Sequence, residues 1–273
     1  MFVSTAGIIA RPTATAGSFF VLDNYPGAAS AYSTSRRLSS AYTGALFRVR
    51  RSSDNTEQDI GYTAGNVLNE TALTTFVGAG NGFITRWYDQ SGNARNTTLE
   101  SASNQPQIVS AGTIVRTTGN IVAMYIGNTA STNISNTQPN TTTQATFLAS
   151  ECATTGNSST ILLPFGVVNS SIYTGAASSG SAISADQNFG VVSYFKNDAS
   201  ITNTRGSIWS AYVTGNETLM NMIGGGTTAT GRFTQYPALF ANVKLFEVII
   251  YNTNQSANRS GINGNINAFY SIY

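Results

Sequence analysis

The sequence predicts an all-β protein, a two-sheet sandwich with one or two short helices, and three observations carry this prediction. Ser, Thr and Asn make up about a third of the 273 residues, and 26 glycines add turn-forming positions. Only 10% of the residues are charged, against about 25% in an average soluble protein. Hydrophobic residues at 41% and aromatic residues at 11% still supply a core, so the composition favours strands joined by many turns.

The N-terminal part of the chain is predicted to contain an arm, a helix and a strand in that order. Residues 1–27 are nearly uncharged and are interrupted by Pro, Thr and Gly, which predicts an arm or one or two edge strands. Residues 28–42 are the first helix candidate, with a glycine at position 44 as its stop. Residues 45–51 alternate between apolar and polar side chains and are predicted to form a strand.

A second helix is predicted at residues 70–77, because Asn69 can cap it and its apolar residues recur at helical spacing. Residues 256–270 are predicted to form a closing helix by the same spacing. Between and around them, short apolar runs bounded by turn residues predict strands. These runs are 83–88, 121–126, 145–149, 159–165, 189–195, 207–213, 218–223 and 240–251. No internal repeat is visible, so residues 28–273 are predicted to form one sandwich domain behind the arm 1–27.

The composition also excludes several classes of function. Histidine is absent, which excludes Ser–His and Cys–His nucleophile systems and histidine metal sites. The single cysteine excludes an intrachain disulfide, and a net charge of +2 is too small to drive nucleic-acid binding. No export signal and no run of about 18 apolar residues is visible, so membrane insertion is not expected. The Ser-, Thr- and Asn-rich composition is typical of an extracellular protein, yet no export signal and no disulfide are visible. This combination suggests a protein that leaves its host by lysis, such as a virion component.

Three residues are candidate ligand contacts: Asp89, Asn93 and Trp209. Asp89 follows a predicted strand and can organise the next turn by accepting backbone N–H bonds, which is its leading interpretation. The alternative is a sugar or calcium contact, because Asp and Asn oxygens beside an aromatic ring suit either ligand. Trp209 is interpreted first as a core residue and second as a stacking platform for a sugar. No cofactor is predicted, and calcium is the metal that the sequence leaves open.

Several segments resemble a known family of enzymes. Residues 31–46, 51–55 and the Trp-Tyr-Asp-Gln-Ser-Gly-Asn run at 87–93 resemble the N-terminal half of the catalytic domain of α-L-arabinofuranosidase B enzymes. This resemblance implies a concanavalin A-like jelly-roll β-sandwich. Residues 245–252 are similar to the last strand of laminin-G and concanavalin A-like modules, which also occur in phage virion proteins.

The expected catalytic residues of that family are not found at matching motifs. The family's nucleophile is a Glu within an Asp-x-Glu-Asn segment, and this chain has no glutamate between Glu151 and Glu217. The nearest look-alikes are residues 186–188 and 196–198. The family's general acid is an Asp after paired glycines, whereas the glycines at 224–226 precede threonines. The family's vicinal disulfide needs two adjacent cysteines, and only Cys152 is present.

The expected function is therefore a non-enzymatic phage virion protein, without catalytic residues or a bound metal. It would decorate a head or form part of a tail or fibre, assemble with itself and other virion proteins, and contact host glycans. Its expected location is the virion, after synthesis in the host cytoplasm. The alternative is a glycoside hydrolase of arabinofuranosidase type with relocated carboxylates, and a third interpretation is a free carbohydrate-binding module.

Overall fold

The fold is described from a computed structural model that covers most of the N-terminal half and the main strands of the C-terminal half. The described residues are 20–97, 101–126, 133–137, 145–152, 160–162, 172–174, 193–201, 217–223, 230–234 and 243–273.

Within these residues the chain forms sixteen strands, three α-helices and one short 3-10 turn. The strands are β1 (Ala28–Ser33), β2 (Phe47–Arg51), β3 (Glu57–Ile60), β4 (Gly82–Trp87), β5 (Gln107–Ser110), β6 (Thr113–Ile114), β7 (Met124–Ile126), β8 (Asn133–Thr137), β9 (Ala145–Cys152), β10 (Thr160–Leu162), β11 (Ile172–Thr174), β12 (Ser193–Lys196), β13 (Ala199–Ile201), β14 (Glu217–Ile223), β15 (Thr230–Thr234) and β16 (Val243–Tyr251). The helices are α1 (Val21–Asn24), α2 (Glu70–Val77) and α3 (Arg259–Tyr270), and the 3-10 turn spans Ala102–Asn104.

The main strands pair in one continuous antiparallel order, β13-β12-β14-β9-β16-β7-β5-β4-β2-β3, to which β1 adds at β16 and β6 at β5. Strand β16 joins the two halves of this path. Its first residues, Val243–Leu245, pair with β7, and after a register shift its residues 247–251 pair with β1. A bulge of this kind bends a strand, so β16 pairs with β7 before the bend and with β1 after it. The all-β sandwich predicted from the sequence is confirmed.

Two apolar clusters form the core. The first draws on both halves of the sheet path and contains Trp87, Phe47 and Leu148. The second lies where α1 and α3 cover β9, β14 and β16, and it contains Phe147, Phe246 and Ile266. Side chains of a strand point alternately to opposite faces, so β9 contributes Leu148 to the first cluster and its neighbour Phe147 to the second.

The second cluster also receives the chain that precedes the sandwich. Val21 and Leu22 of α1 are buried there, so the chain packs on the sandwich from residue 21 onward. This segment is a short helix rather than the edge strand that was one of the two interpretations of residues 1–27. Residues 1–19, the rest of the predicted arm, lie outside the described residues.

Of the predicted helices, one is wrong and two are confirmed. Residues 28–42 do not form a helix, because their first six residues are β1, which pairs with β16 and is buried along its whole length. Burial on both faces removes the alternation by which a strand is recognised in a sequence. Helix α2 begins and ends as predicted, and the side chain of Asn69 accepts a hydrogen bond from the Ala72 amide. The closing helix is α3. None of the described helices is long and apolar enough to cross a membrane.

Candidate active site

Asp89 organises the turn after β4. Its Oδ1 accepts hydrogen bonds from the amides of Ala31 and Ser91, both at 2.9 Å. Its Oδ2 accepts bonds from the Ser91 hydroxyl at 2.8 Å and the Arg95 amide at 3.0 Å. A carboxylate offers about four lone-pair sites, so these four donors occupy them all. The leading interpretation of Asp89 therefore agrees with its contacts.

Asn93 lies in the same turn, and its side-chain amide donates to the carbonyls of Ala28 and Ala29 at 2.9 and 3.1 Å. The turn after β4 is thus fastened to β1. Trp209 lies outside the described residues. Ligand binding by Asp89, Asn93 and Trp209 stays a prediction, and so does calcium. No group of three or more Asp, Glu or Cys side chains suited to a metal ion occurs in the described part of the chain.

Of the two aspartate-containing look-alikes, one falls in the described residues. Asn197 and Asp198 have positive φ angles of 47° and 68° and form the turn between β12 and β13. The Asp198 carboxylate forms an ion pair with Arg259 and accepts a hydrogen bond from the side-chain Nδ2 of Asn263 at 3.0 Å. These contacts attach the turn to α3. Residues 186–188 and 224–226 lie outside the described residues.

A pair of glutamates lies at the end of the sheet where β9 ends and β14 begins. Glu151 of β9 and Glu217 of β14 are direct partners in the antiparallel register. Residues directly opposite in such a pair share one face of the sheet and have Cβ atoms about 4.5–5.5 Å apart. Glu151 is buried, with only 1% of its surface exposed, whereas Glu217 is partly exposed. Solvent therefore reaches the pair from the side of Glu217.

Two kinds of donor hold this pair in place. The Lys244 ammonium of β16 donates to Glu151 Oε1 at 2.7 Å. The backbone amides of Thr118 and Gly119 donate to Glu151 and Glu217 respectively, so one tight turn contacts both side chains. Among the described residues, no lysine or arginine forms an ion pair with Glu217. The two carboxyl groups therefore have different electrostatic surroundings.

Glycoside hydrolysis with retention of configuration uses two carboxyl groups that lie close together, and the cross-strand register places two such groups side by side here. In that mechanism the groups are about 5–5.5 Å apart, one acting as nucleophile and the other as general acid and then base. Glu151, which is held by the Lys244 ammonium, suits the role of the nucleophile. Glu217, which has no such cation in the described structure, suits the role that exchanges a proton with substrate and solvent.

The sequence motifs do not predict this pair, because the family's nucleophile motif would place a glutamate between Glu151 and Glu217 rather than at those two positions. The two residues are far apart in the chain, and no local motif joins them. One signal was available: each sits at the end of a predicted strand, beside the apolar runs 145–149 and 218–223. Only the pairing of those runs makes the two glutamates neighbours.

Part of the sequence is similar to a known family of glycosidases. Residues 22–146, slightly less than half of the chain, match the family described as alpha-L-arabinofuranosidase B, catalytic. A 69-residue stretch is 44% identical to alpha-L-arabinofuranosidase B of Aspergillus niger, covering 25% of this chain and 14% of that protein. The corresponding enzyme of Aspergillus kawachii is 42% identical over the same length and coverage. The chain thus matches 14% of the length of these curated relatives.

Solved structures show the same relationship at the level of the fold. An arabinofuranosidase complexed with arabinofuranosyl-alpha-1,2-xylobiose superposes with a TM-score of 0.61 at 15% identity, over 92% of this chain and 64% of that one. A GH54 α-L-arabinofuranosidase soaked with a cyclic sulfate inhibitor gives a TM-score of 0.60 at 16% identity and the same coverage. These two structures share the fold with this chain.

These findings correct the expected function. The expectation of a non-enzymatic phage virion protein is wrong, because the matched family is that of the arabinofuranosidase B catalytic domain and the named curated relatives are arabinofuranosidases. The virion location and the head, tail and capsid roles are wrong for the same reason, since the matched relatives are fungal glycosidases. The expected lack of catalytic carboxylates is also unsupported, because the fold brings together two glutamates that lie outside the family's motifs.

Proposed function

We propose that this chain is a glycoside hydrolase domain of α-L-arabinofuranosidase type, with Glu151 and Glu217 as its carboxyl pair. The observation that carries the proposal is the direct cross-strand register of the two glutamates at one end of the sheet. The match of residues 22–146 to the arabinofuranosidase B catalytic family supports the substrate class. The proposed substrate is accordingly a terminal α-L-arabinofuranosyl group.

In the proposed mechanism Glu151 is the nucleophile. Its side chain is buried and accepts hydrogen bonds from the Lys244 ammonium and the Thr118 amide, and these contacts hold its carboxyl group in place. Attack by one oxygen of Glu151 on the anomeric carbon forms a glycosyl–enzyme ester, while the bond to the leaving oxygen breaks. Glu217 gives its proton to that leaving oxygen, and its carboxylate then takes a proton from the water that cleaves the ester.

The first test is hydrolysis of 4-nitrophenyl α-L-arabinofuranoside by the full chain. We expect turnover above a buffer blank, with the product released in the same anomeric configuration as the substrate. Glu151→Gln and Glu217→Gln should each lower kcat by about 100- to 10,000-fold, because each removes one of the two functional carboxyl groups. Glu57→Gln is the matched control, since Glu57 is exposed on β3 and the one hydrogen bond described for its side chain comes from the Thr85 hydroxyl.

The same variants separate the two roles. A 4-nitrophenolate leaving group needs little protonation, so Glu217→Gln should lose less activity on this substrate than on an alkyl arabinofuranoside. Glu151→Gln should lose activity on both substrates alike, because the nucleophile is needed for either. Absence of hydrolysis by the folded wild-type chain, or full activity in both variants, would overturn the proposal.

A further inference from the structure

We infer that the hairpin turn at residues 117–120 positions the carboxyl pair, and that Gly119 is a positioning residue because its lack of a side chain leaves room for the Glu217 carboxylate. This inference rests on the proposed function of Glu151 and Glu217. It concerns a segment that lies outside both glutamate strands.

The turn contacts both carboxyl groups through consecutive amides. The Thr118 N–H donates to Glu151 Oε2, and the next N–H, that of Gly119, donates to Glu217 Oε1. Consecutive residues have Cα atoms 3.8 Å apart across a trans peptide, so their amides fix two acceptors at a short mutual distance. Hydrogen bonds to a charged acceptor are about twice as strong as neutral ones. The turn therefore sets the spacing of the two carboxyl groups as well as their orientation.

The turn is itself held in one conformation. Two hydrogen bonds join Thr117 to Ile121. The Thr117 amide donates to the Ile121 carbonyl at 2.8 Å, and the Thr117 hydroxyl accepts from the Ile121 amide at 3.0 Å. The Asn120 amide donates to the Thr117 carbonyl at 3.1 Å, and Asn120 has a positive φ of 67°. Asn tolerates this left-handed conformation better than most residues, so the turn closes without a glycine at that position.

An ion pair fastens the turn to the sandwich. The Arg116 guanidinium donates to the Asn120 carbonyl at 3.1 Å and forms a salt bridge with Glu70 in the first turn of α2. These two side chains line a cleft of ≈ 80 Å³ together with Ser35 and Asn120. The position of the amides at 118 and 119 is thus tied to a helix whose own start is capped by Asn69.

Gly119 has no room for a side chain. A Cβ atom built there would lie 2.6 Å from Glu217 Oε1 and 2.9 Å from Glu217 Cδ. Its φ is not among the positive ones, so an alanine can adopt the same backbone conformation. The clash falls on the far end of a flexible side chain. Gly119→Ala should therefore displace the Glu217 carboxylate and leave the fold intact.

The kinetic experiment uses the full chain with Gly119→Ala and, as matched control, Gly61→Ala, whose Cβ would meet no atom within 4 Å. A misplacement of about 1 Å in a catalytic group can cost about 100-fold in rate. We expect Gly119→Ala to lower kcat by about 100-fold with little change in KM, and to keep the melting temperature of the wild type. Gly61→Ala should keep the wild-type kcat. A kcat for Gly119→Ala equal to that of the control would overturn the inference.

A second measurement does not depend on activity. In ¹H–¹⁵N spectra of the labelled chain, Glu217→Gln should shift the Gly119 amide more than the Thr118 amide, and Glu151→Gln should do the reverse. If these amides respond while the wild-type chain hydrolyses no arabinofuranoside, the proposed function fails and the contact stands. If hydrolysis is present and neither amide responds, the positioning role fails and the proposed function stands.

Discussion

Strand β16 contributes to two ion pairs that differ in how completely their charges are paired. Glu247 pairs with Arg36 through two hydrogen bonds, at 2.8 and 2.6 Å, and both side chains are fully buried. Lys244, on the same strand, pairs with Glu151, whose cross-strand neighbour is another glutamate. The first cluster has one charge of each sign. The second has one cation for two carboxyl groups.

The Arg36–Glu247 cluster is closed by further contacts. Tyr270 donates to Glu247 at 2.8 Å, Asn265 accepts from Arg36 at 2.9 Å, and the rings of Phe269 and Tyr270 lie within 5.4 Å of the guanidinium carbon. Burial alone would lower the pKa of Arg36, but the charge of Glu247 and its hydrogen bonds raise it overall. Burial also raises the pKa of the Tyr270 hydroxyl well above its ordinary value. Every charged group here is neutralised, so the cluster serves the fold.

The Glu151–Glu217 pair shows the opposite balance. Its two carboxyl groups are adjacent, the only cation that pairs with them among the described residues contacts Glu151, and Glu217 is partly exposed. Incompletely paired carboxyl groups at one site are what acid–base chemistry requires, because one of them must exchange protons. The two sites differ in the number of cations for each carboxyl group, and this charge balance distinguishes a structural glutamate from a candidate catalytic one.

The largest effect on stability is expected from Glu247→Gln. Removing one partner of a buried ion pair leaves the Arg36 charge uncompensated, which should lower the free energy of unfolding by about 3–5 kcal/mol. Glu217→Gln is the matched comparison and should cost less than about 1 kcal/mol, because Glu217 is partly exposed and forms no ion pair among the described residues. Denaturant titration of the two variants checks this. Equal costs would break the distinction between the two clusters.

Asp89 sharpens the comparison, because it is a buried carboxylate satisfied by hydrogen-bond donors without a cation. Asp89→Ala should lower the free energy of unfolding by about 1–3 kcal/mol, since buried N–H groups at Ala31, Ser91 and Arg95 lose their acceptor. Thermal melting with and without a calcium chelator measures the effect. A wild-type melting temperature that falls on chelation would instead indicate a metal at Asp89, because an ion that binds only the folded state stabilises it.

The smallest effect is expected at Asp59, whose ion pair with Arg48 on β2 is solvent-exposed. The hydrogen bonds from Arg48 outweigh partial burial and hold the pKa of Asp59 below its ordinary value. A lowered folded-state pKa stabilises above the unfolded value of about 3.9, and the stabilisation is lost as the pH falls through the folded value. Asp59→Asn should therefore cost less than about 1 kcal/mol at pH 7 and nothing in stronger acid. A cost that grows in acid would contradict this sign.

Local sequence signals predicted some elements well. Helix α2 depends on Asn69 and on apolar residues at helical spacing, and all of these lie within a few residues of one another. Strands β2 and β4 show the alternation of a sheet with one buried face. The turn after β4 was predicted from Asp89 and the residues that follow it, because an Asx-type turn is a local structure.

The sequence alone determined the sandwich class, the absence of histidine-dependent chemistry and the caps and turns, because each depends on composition or on close neighbours. The tertiary structure decided which residues meet. The helix prediction for β1 is wrong because both faces of the strand are buried, Tyr32 in the first apolar cluster and Ala31 in the second. Glu151 and Glu217 become neighbours through the register of β9 with β14, and a one-residue slip would send one of them to the opposite face. Pairing between strands distant in the chain is fixed by packing of the whole core, and no local pattern encodes it.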